Sequence, residues 1–201
     1  MKHLLITAIA LSLCLLSCKE KVITVQYENG NKYEEYQYTG DSLKNGYYNR
    51  YAMGGVLLEE STYRDGYQDG VRKLYTEDGV LEVEENYSNK KLNGPYTVYH
   101  TNGNKKIEAV YTDDVLKGIV KVYYPSGALK EEVTYEDNIE NGPFKEYHEN
   151  GQLLWKGTYK DGDNEFGLLE KYDTNGVVVR KMMCDDRAIC RTTWTSEKED
   201  S

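Results

Sequence analysis

The chain has little with which to fill a dry interior. Only two phenylalanines and two tryptophans occur in 201 residues, and aliphatic side chains are thin throughout. Tyrosine, with 20 copies, is the dominant aromatic, and a ring with a wet hydroxyl suits a thin sheet better than a deep core. Basic charge is also scarce: the formal charge is −9 and the isoelectric point is near 5.0. That excludes the basic stripe that nucleic-acid binding needs and argues against electrostatic docking on anionic head groups. Past residue 16 there is no long apolar run, and no stretch carries the 3.6-residue apolar spacing of a convincing helix. Cysteine is limited to residues 14, 18, 184 and 190.

What the chain has instead is a repeat. Glycine, four residues, tyrosine, three residues, glycine, seven residues, tyrosine: this frame starts at Gly46, Gly70, Gly94, Gly118 and Gly142. Those glycines are 24 residues apart, and Gly167 follows after 25. A period this tight means a repeat array. A degenerate first unit begins near Val22, and the last runs from Gly167 to Cys190, with Cys184 in the slot of the second tyrosine. Within each unit, two β-prone runs flank a turn such as Asn102-Gly103 or Asn150-Gly151, the strongest short-range hairpin signal. A second turn, for example Arg64-Asp65-Gly66 or Asp137-Asn138, joins the units. The expected fold is all-β: an elongated, single-layer antiparallel meander of about seven tandem β-hairpins with period 24 over residues 22–190, then a polar tail at 191–201.

If Asn-Gly is a two-residue turn, Lys73 faces Glu84 and Lys121 faces Glu132 across their hairpins. Leu129, Val133, Tyr135, Val120 and Val122 then point to the opposite, more apolar face.

Residues 1–17 read as a signal peptide: a positive start, then the 13-residue apolar run Leu4 to Leu16, too short to span a bilayer. Leu15-Leu16-Ser17-Cys18 resembles the bacterial lipobox, and that resemblance implies cleavage before Cys18 and its acylation, with residues 18–21 as anchor and linker. Lys19-Glu20-Lys21 resembles outer-membrane sorting and surface-export signals of lipoproteins in diderm bacteria. Cys184 and Cys190 are then the remaining cysteines, which in an exported chain suggests a disulfide.

The repeat frame resembles MORN-type repeats, in the longer bacterial variant found in antitoxin-like proteins. The resemblance covers residues 22–190. It implies a non-catalytic module that holds a partner or a membrane, with no cofactor. The sequence agrees: it contains no Ser/His/Asp set, phosphate loop or HExxH motif. His100 and His148 share one frame position, directly after the tyrosine, but neither has a companion at metal-ligand spacing. Glu60, Glu84, Glu108 and Glu132 repeat at a single position, replaced by Lys156 and Lys181 in the last two units. They form either an acidic stripe that meets a basic partner or a solvated face that resists aggregation. The two tyrosine ladders are first of all structural, with glycan or peptide binding as the alternative. The expected role is a lipid-anchored, non-enzymatic protein-binding or scaffold protein of the cell envelope, its partner another envelope protein; the alternative is an antitoxin or immunity protein.

Overall fold

The computed structural model describes residues 21–40 and 43–196. The signal segment, Cys14, Cys18 and residues 19 and 20 of the linker lie outside the described residues. The described chain forms strands and turns only, with no helix. The strands are β1 (Lys21–Gln26), β2 (Lys32–Tyr38), β3 (Lys44–Tyr51), β4 (Leu57–Arg64), β5 (Tyr67–Tyr75), β6 (Leu81–Ser88), β7 (Lys91–Tyr99) and β8 (Lys105–Thr112). They continue with β9 (Val115–Leu116), β10 (Gly118–Tyr123), β11 (Leu129–Glu136), β12 (Ile139–Tyr147), β13 (Leu153–Tyr159), β14 (Glu165–Tyr172), β15 (Val178–Cys184) and β16 (Cys190–Thr195). All lie in one sheet in chain order, each antiparallel to the next; the short β9 pairs with β8 just ahead of β10. The meander is thus a single layer.

Two kinds of turn alternate, and the structure reassigns them. The Asn-Gly pairs do not form two-residue turns with both residues at positive φ. At the turn after β12, Gly151 N–H donates to the His148 carbonyl and His148 N–H to the Gln152 carbonyl, both at 2.8 Å. Only Gly151 has positive φ (84°). Strand partners then jump from Glu146–Trp155 to Tyr147–Leu153, which describes a type I turn closed by a glycine bulge. The paired positive φ values fall at the joints between units instead: Asp137 and Asn138, at 51° and 71°, make a two-residue turn flanked by the Glu136–Ile139 pair. Both devices match the twist of antiparallel strands, so the expected cross-strand pairs Lys73–Glu84 and Lys121–Glu132 stand directly opposite each other. Leu129 lies beyond the bulge, opposite Tyr123.

The leading glycine of each unit sits at a second irregularity. Between the pairs Val133–Phe144 and Tyr135–Glu140, residues 141–143 of β12 face only Thr134. Gly142 takes φ 123° there, a conformation that glycine adopts without steric cost, and Thr134 Oγ1 donates to the Pro143 carbonyl at 2.9 Å.

The C-terminal end also differs from expectation. Arg191 to Thr195 are not a free polar tail: with Cys190 they form β16, paired along β15. Threonine and tryptophan favour strands, and Cys184 and Cys190, directly opposite in that pairing, are joined by a disulfide. Residues 197–201 lie outside the described residues.

One face of the sheet is packed. It holds Tyr48, Ala109, Val120, Val133, Phe144 and Leu169, all buried. In the C-terminal half, Val133, Phe144, Leu169 and Cys184 form a cluster walled by Tyr135, Trp155 and Tyr159. Phe144 stacks on Tyr159 with ring centroids 4.2 Å apart. It stands opposite Gly157, where a Cβ would lie 2.7 Å from the ring. In the N-terminal half the same stripe is polar. Arg72 donates to Glu59 at 2.8 Å and to Glu85 at 2.7 Å, and Arg50 reaches Glu59 at 3.4 Å. Nearby, the Lys44 ammonium lies 3.8 Å from the centre of the Tyr48 ring. The ion pairs and the tyrosines around Lys44 occupy the width that aliphatic side chains fill further along.

Candidate functional site

Glu60, Glu84, Glu108 and Glu132 lie on the other, open face, each at the same register position of its hairpin. Their carboxylates are engaged within the sheet. Tyr75 donates to Glu60 at 2.6 Å, Tyr147 to Glu132 at 3.0 Å, and Tyr123 to Glu108. Lysines add to this: Lys105 pairs with Glu108, and Lys73 and Lys121 approach Glu84 and Glu132 at 4.0 and 3.9 Å. Burial, then the neighbouring carboxylate, pushes Tyr75 and Tyr123 up to about 12, so these hydroxyls stay protonated and donate. The bond from Lys105, reinforced by that from Tyr123, holds Glu108 below the ordinary carboxylate range. Through Glu60, Glu108 and Glu132 the stripe links one repeat to the next, with its carboxylates still partly exposed.

The first tyrosine ladder and the frame position after it share this linking role. His100 Nε2 lies 2.9 Å from the Tyr123 carbonyl and His148 Nε2 3.1 Å from the Tyr172 carbonyl. A carbonyl only accepts, so Nε2 carries the proton in both. Tyr27 and Tyr124 occupy the same frame position, and their hydroxyls donate to the Tyr51 and Tyr147 carbonyls at 2.9 and 2.8 Å. Histidine here is an inter-repeat staple, interchangeable in the frame with tyrosine. On the opposite edge the joining turns are stapled too: Asn138 N–H donates to the Leu116 carbonyl at 3.1 Å, and its side chain accepts from Leu116 N–H at 2.8 Å.

Glu165, Cys184 and Cys190 bring three potential ligand atoms together, but the two sulfurs are bonded to each other and are not thiolate donors in this state.

One feature went unnoticed in the sequence. On the packed face, the position that pairs each hairpin with the next carries matched residues: Glu34–Arg50, Val83–Val98, Ile107–Val122 and Trp155–Lys171. Glu59 faces Leu74, but Arg72 and Arg50 neutralise it. At the joint between β11 and β12 the frame instead places Glu131 opposite Glu146, beside the aromatic wall of the core. Burial raises both carboxyls. Glu146 and Glu140 add to the rise at Glu131, Glu165 adds to it at Glu146, and Lys130 offsets part of it at both. Pairing across the joining turn, rather than only within a hairpin, was the signal that would have found this pair.

A one-layer sheet of tandem hairpins, stapled along both edges and open on one face, defines a structural repeat protein. Residues 68–89, 92–113, 116–137 and 140–161 match the family described as MORN repeat variant. The centre of the chain thus carries four tandem repeats of the MORN type. No curated protein sequence matches it. Among solved structures, a porin-like protein from Bacteroides uniformis ATCC 8492 is similar over 85% of this chain and 92% of that one, at 8% identity and a TM-score of 0.23. So loose a superposition carries no argument.

Proposed function

We propose that the chain is a lipid-anchored protein of the bacterial cell envelope whose repeats hold another envelope protein without catalysing a reaction. The supporting observation is the repeat array itself: the frame residues are consumed in turns and staples, while side chains between them vary from hairpin to hairpin on two broad surfaces. Such an array presents an extended surface to a partner, and its histidines serve the backbone instead of a catalytic constellation. The anchor rests on Cys18 and the lipobox-like residues before it, and the outer membrane of a diderm bacterium on the sorting-signal-like Lys19-Glu20-Lys21 after it. Glu60, Glu84, Glu108 and Glu132, partly exposed along one row, are candidates for partner contact, and the antitoxin or immunity role is a special case of the same binding.

Crosslinking in intact cells followed by capture from membranes tests the reading. A specific envelope protein is the expected yield, and a toxin would select the immunity role. Recovery of no specific partner overturns the binding role. Cys18→Ala is expected to abolish membrane partitioning; unchanged partitioning would overturn the anchor.

A further inference from the structure

We propose that in its dithiol state the chain binds one zinc ion between Glu165, Cys184 and Cys190, and that this ion and the disulfide exclude each other. The three residues stand on the consecutive strands β14, β15 and β16. Earlier joints of the frame show what has changed there. Where β11 meets β12, Tyr135 stands opposite Glu140 and donates its hydroxyl to that carboxylate at 2.7 Å. Where β13 meets β14, Tyr159 stands opposite Glu165. Its ring stacks on Phe144, however, and Glu165 Oε2 lies 3.2 Å from Cys190 Sγ. Where β15 meets β16, the tyrosine and its partner have become Cys184 and Cys190. A disulfide sulfur has no proton to donate, so in the oxidised chain the sulfur beside this carboxylate is no donor. Two thiolates and a carboxylate, in contrast, are a donor set that suits zinc.

The distances fit such an ion. Zinc–sulfur bonds of about 2.3 Å and a zinc–oxygen bond of about 2.0 Å, set tetrahedrally, place sulfur about 3.8 Å from sulfur and about 3.5 Å from oxygen. The three ligand atoms lie within 4.8 Å of one another, with the carboxylate oxygen 3.2 Å from one sulfur. Parting the sulfurs moves side chains on β15 and on β16, the last described strand of the sheet. Cys184 is buried in the cluster with Phe144 and Leu169, which shields that ligand from water. Glu165 faces an opening of about 220 Å³ walled by Lys160, Phe166, Asp185 and Arg187, which gives an entry path and room for a water as fourth ligand. The two cations of that wall have other partners: Lys160 pairs with Asp186 and Arg187 with Asp185.

Binding exchanges two thiol protons for one Zn²⁺. Disulfide formation removes the same two protons together with two electrons, which pass to a thiol–disulfide oxidant, and both sulfur donors are lost to the ion. A dithiol reductant, itself left as a disulfide, restores the site. The last repeat thus has two alternative closures, one covalent and one through the metal.

Zinc titration of the full chain, reduced with a phosphine and handled without oxygen, tests this. Against a chromophoric chelator the reduced wild type should take up one equivalent with a Kd below about 1 µM. Co²⁺ in its place should give thiolate-to-metal charge-transfer absorption, and the disulfide form should show neither. Glu165→Gln, at a side chain that is only partly buried, should leave β5–β8 protected in hydrogen exchange and weaken zinc binding at least about tenfold. Zinc should also slow exchange in β15 and β16 of the reduced chain, an effect lost in C184S/C190S. The proposal is overturned by a reduced wild type that takes up no zinc at ~10 µM. Uptake undiminished in C184S/C190S overturns it too, as does E165Q binding zinc as tightly as wild type.

Discussion

Glu59 and Glu131 occupy the same frame position in two different repeats, and their replacement is expected to move stability in opposite directions. Glu131 stands opposite Glu146 on a half-buried strand pair. Like charges directly opposite each other cost about 0.2–1 kcal/mol, and a neutral amide also avoids the burial penalty on two carboxylates. E131Q/E146Q should therefore stabilise the chain by about 1 kcal/mol, which for a chain of this size raises Tm by about 2–4 °C. The pH dependence gives a sharper signature. Both carboxyls titrate above their ordinary range in the fold. Their protonation thus favours the folded state: this contribution is complete below the ordinary carboxylate pKa and is lost as pH rises through the raised values. The advantage of E131Q/E146Q over wild type, read from urea midpoints, should be largest near pH 7 and shrink towards pH 4. Glu59 is buried and held by Arg72 and Arg50. R72M, which takes the guanidinium from Glu85 and leaves Glu59 to Arg50 alone, should cost about 2–4 kcal/mol, somewhat under the roughly 3–5 kcal/mol for breaking a fully buried pair because Arg72 is itself partly exposed. A variant E131Q/E146Q that melts below wild type, or whose advantage is flat with pH, would refute the reasoning.

Gly157→Ala should cost about 1–3 kcal/mol through collision with Phe144 and Leu169. Gly151→Val, where an added Cβ meets no atom within 4 Å but φ is +84°, should cost at least about 1 kcal/mol through backbone strain alone. Equal melting points for either variant and wild type would place the packing or the turn elsewhere. His148→Ala should lose about 0.5–1.5 kcal/mol with the bond to the Tyr172 carbonyl. His148→Tyr should retain most of that stability, because Tyr124 makes the equivalent bond; equal losses in chemical denaturation would contradict the staple. Reduction of Cys184–Cys190 should speed hydrogen exchange in β15 and β16 while β5–β8 keep their protection, and uniform loosening would show that the end does not unfold on its own.

The architecture was legible because a 24-residue period constrains every copy at once, and pairs such as Lys73–Glu84 followed from placing each hairpin turn at its Asn-Gly or Asp-Gly pair, because the glycine bulge keeps the register that a two-residue turn would give. Turn type was not, because Asn-Gly serves both a two-residue turn and the third position of a type I turn with a bulge; the two differ in φ at Asn150, which composition does not encode. The staples formed by His100 and His148 escaped notice because their partners are backbone carbonyls one repeat away. β16 was read as tail because its Arg-Thr-Thr-Trp-Thr run lacks the tyrosine and glycine landmarks of the frame, although its strand propensity is high. The uncompensated pair Glu131–Glu146 required pairing across the joining turn, at positions where neither residue is unusual by itself.

The strand order has a kinetic corollary. Apart from the two-residue β9, every described strand pairs with the strand before it, and among the side-chain bonds described the widest, Lys160 to Asp186, spans 26 residues. Among the described residues no segment waits for a distant partner, so the entropy of closing large loops does not have to be met there. The chain can solidify as a zipper does, each hairpin templating the next as it emerges from a ribosome or an export channel, with the growing edge always the most recent strand.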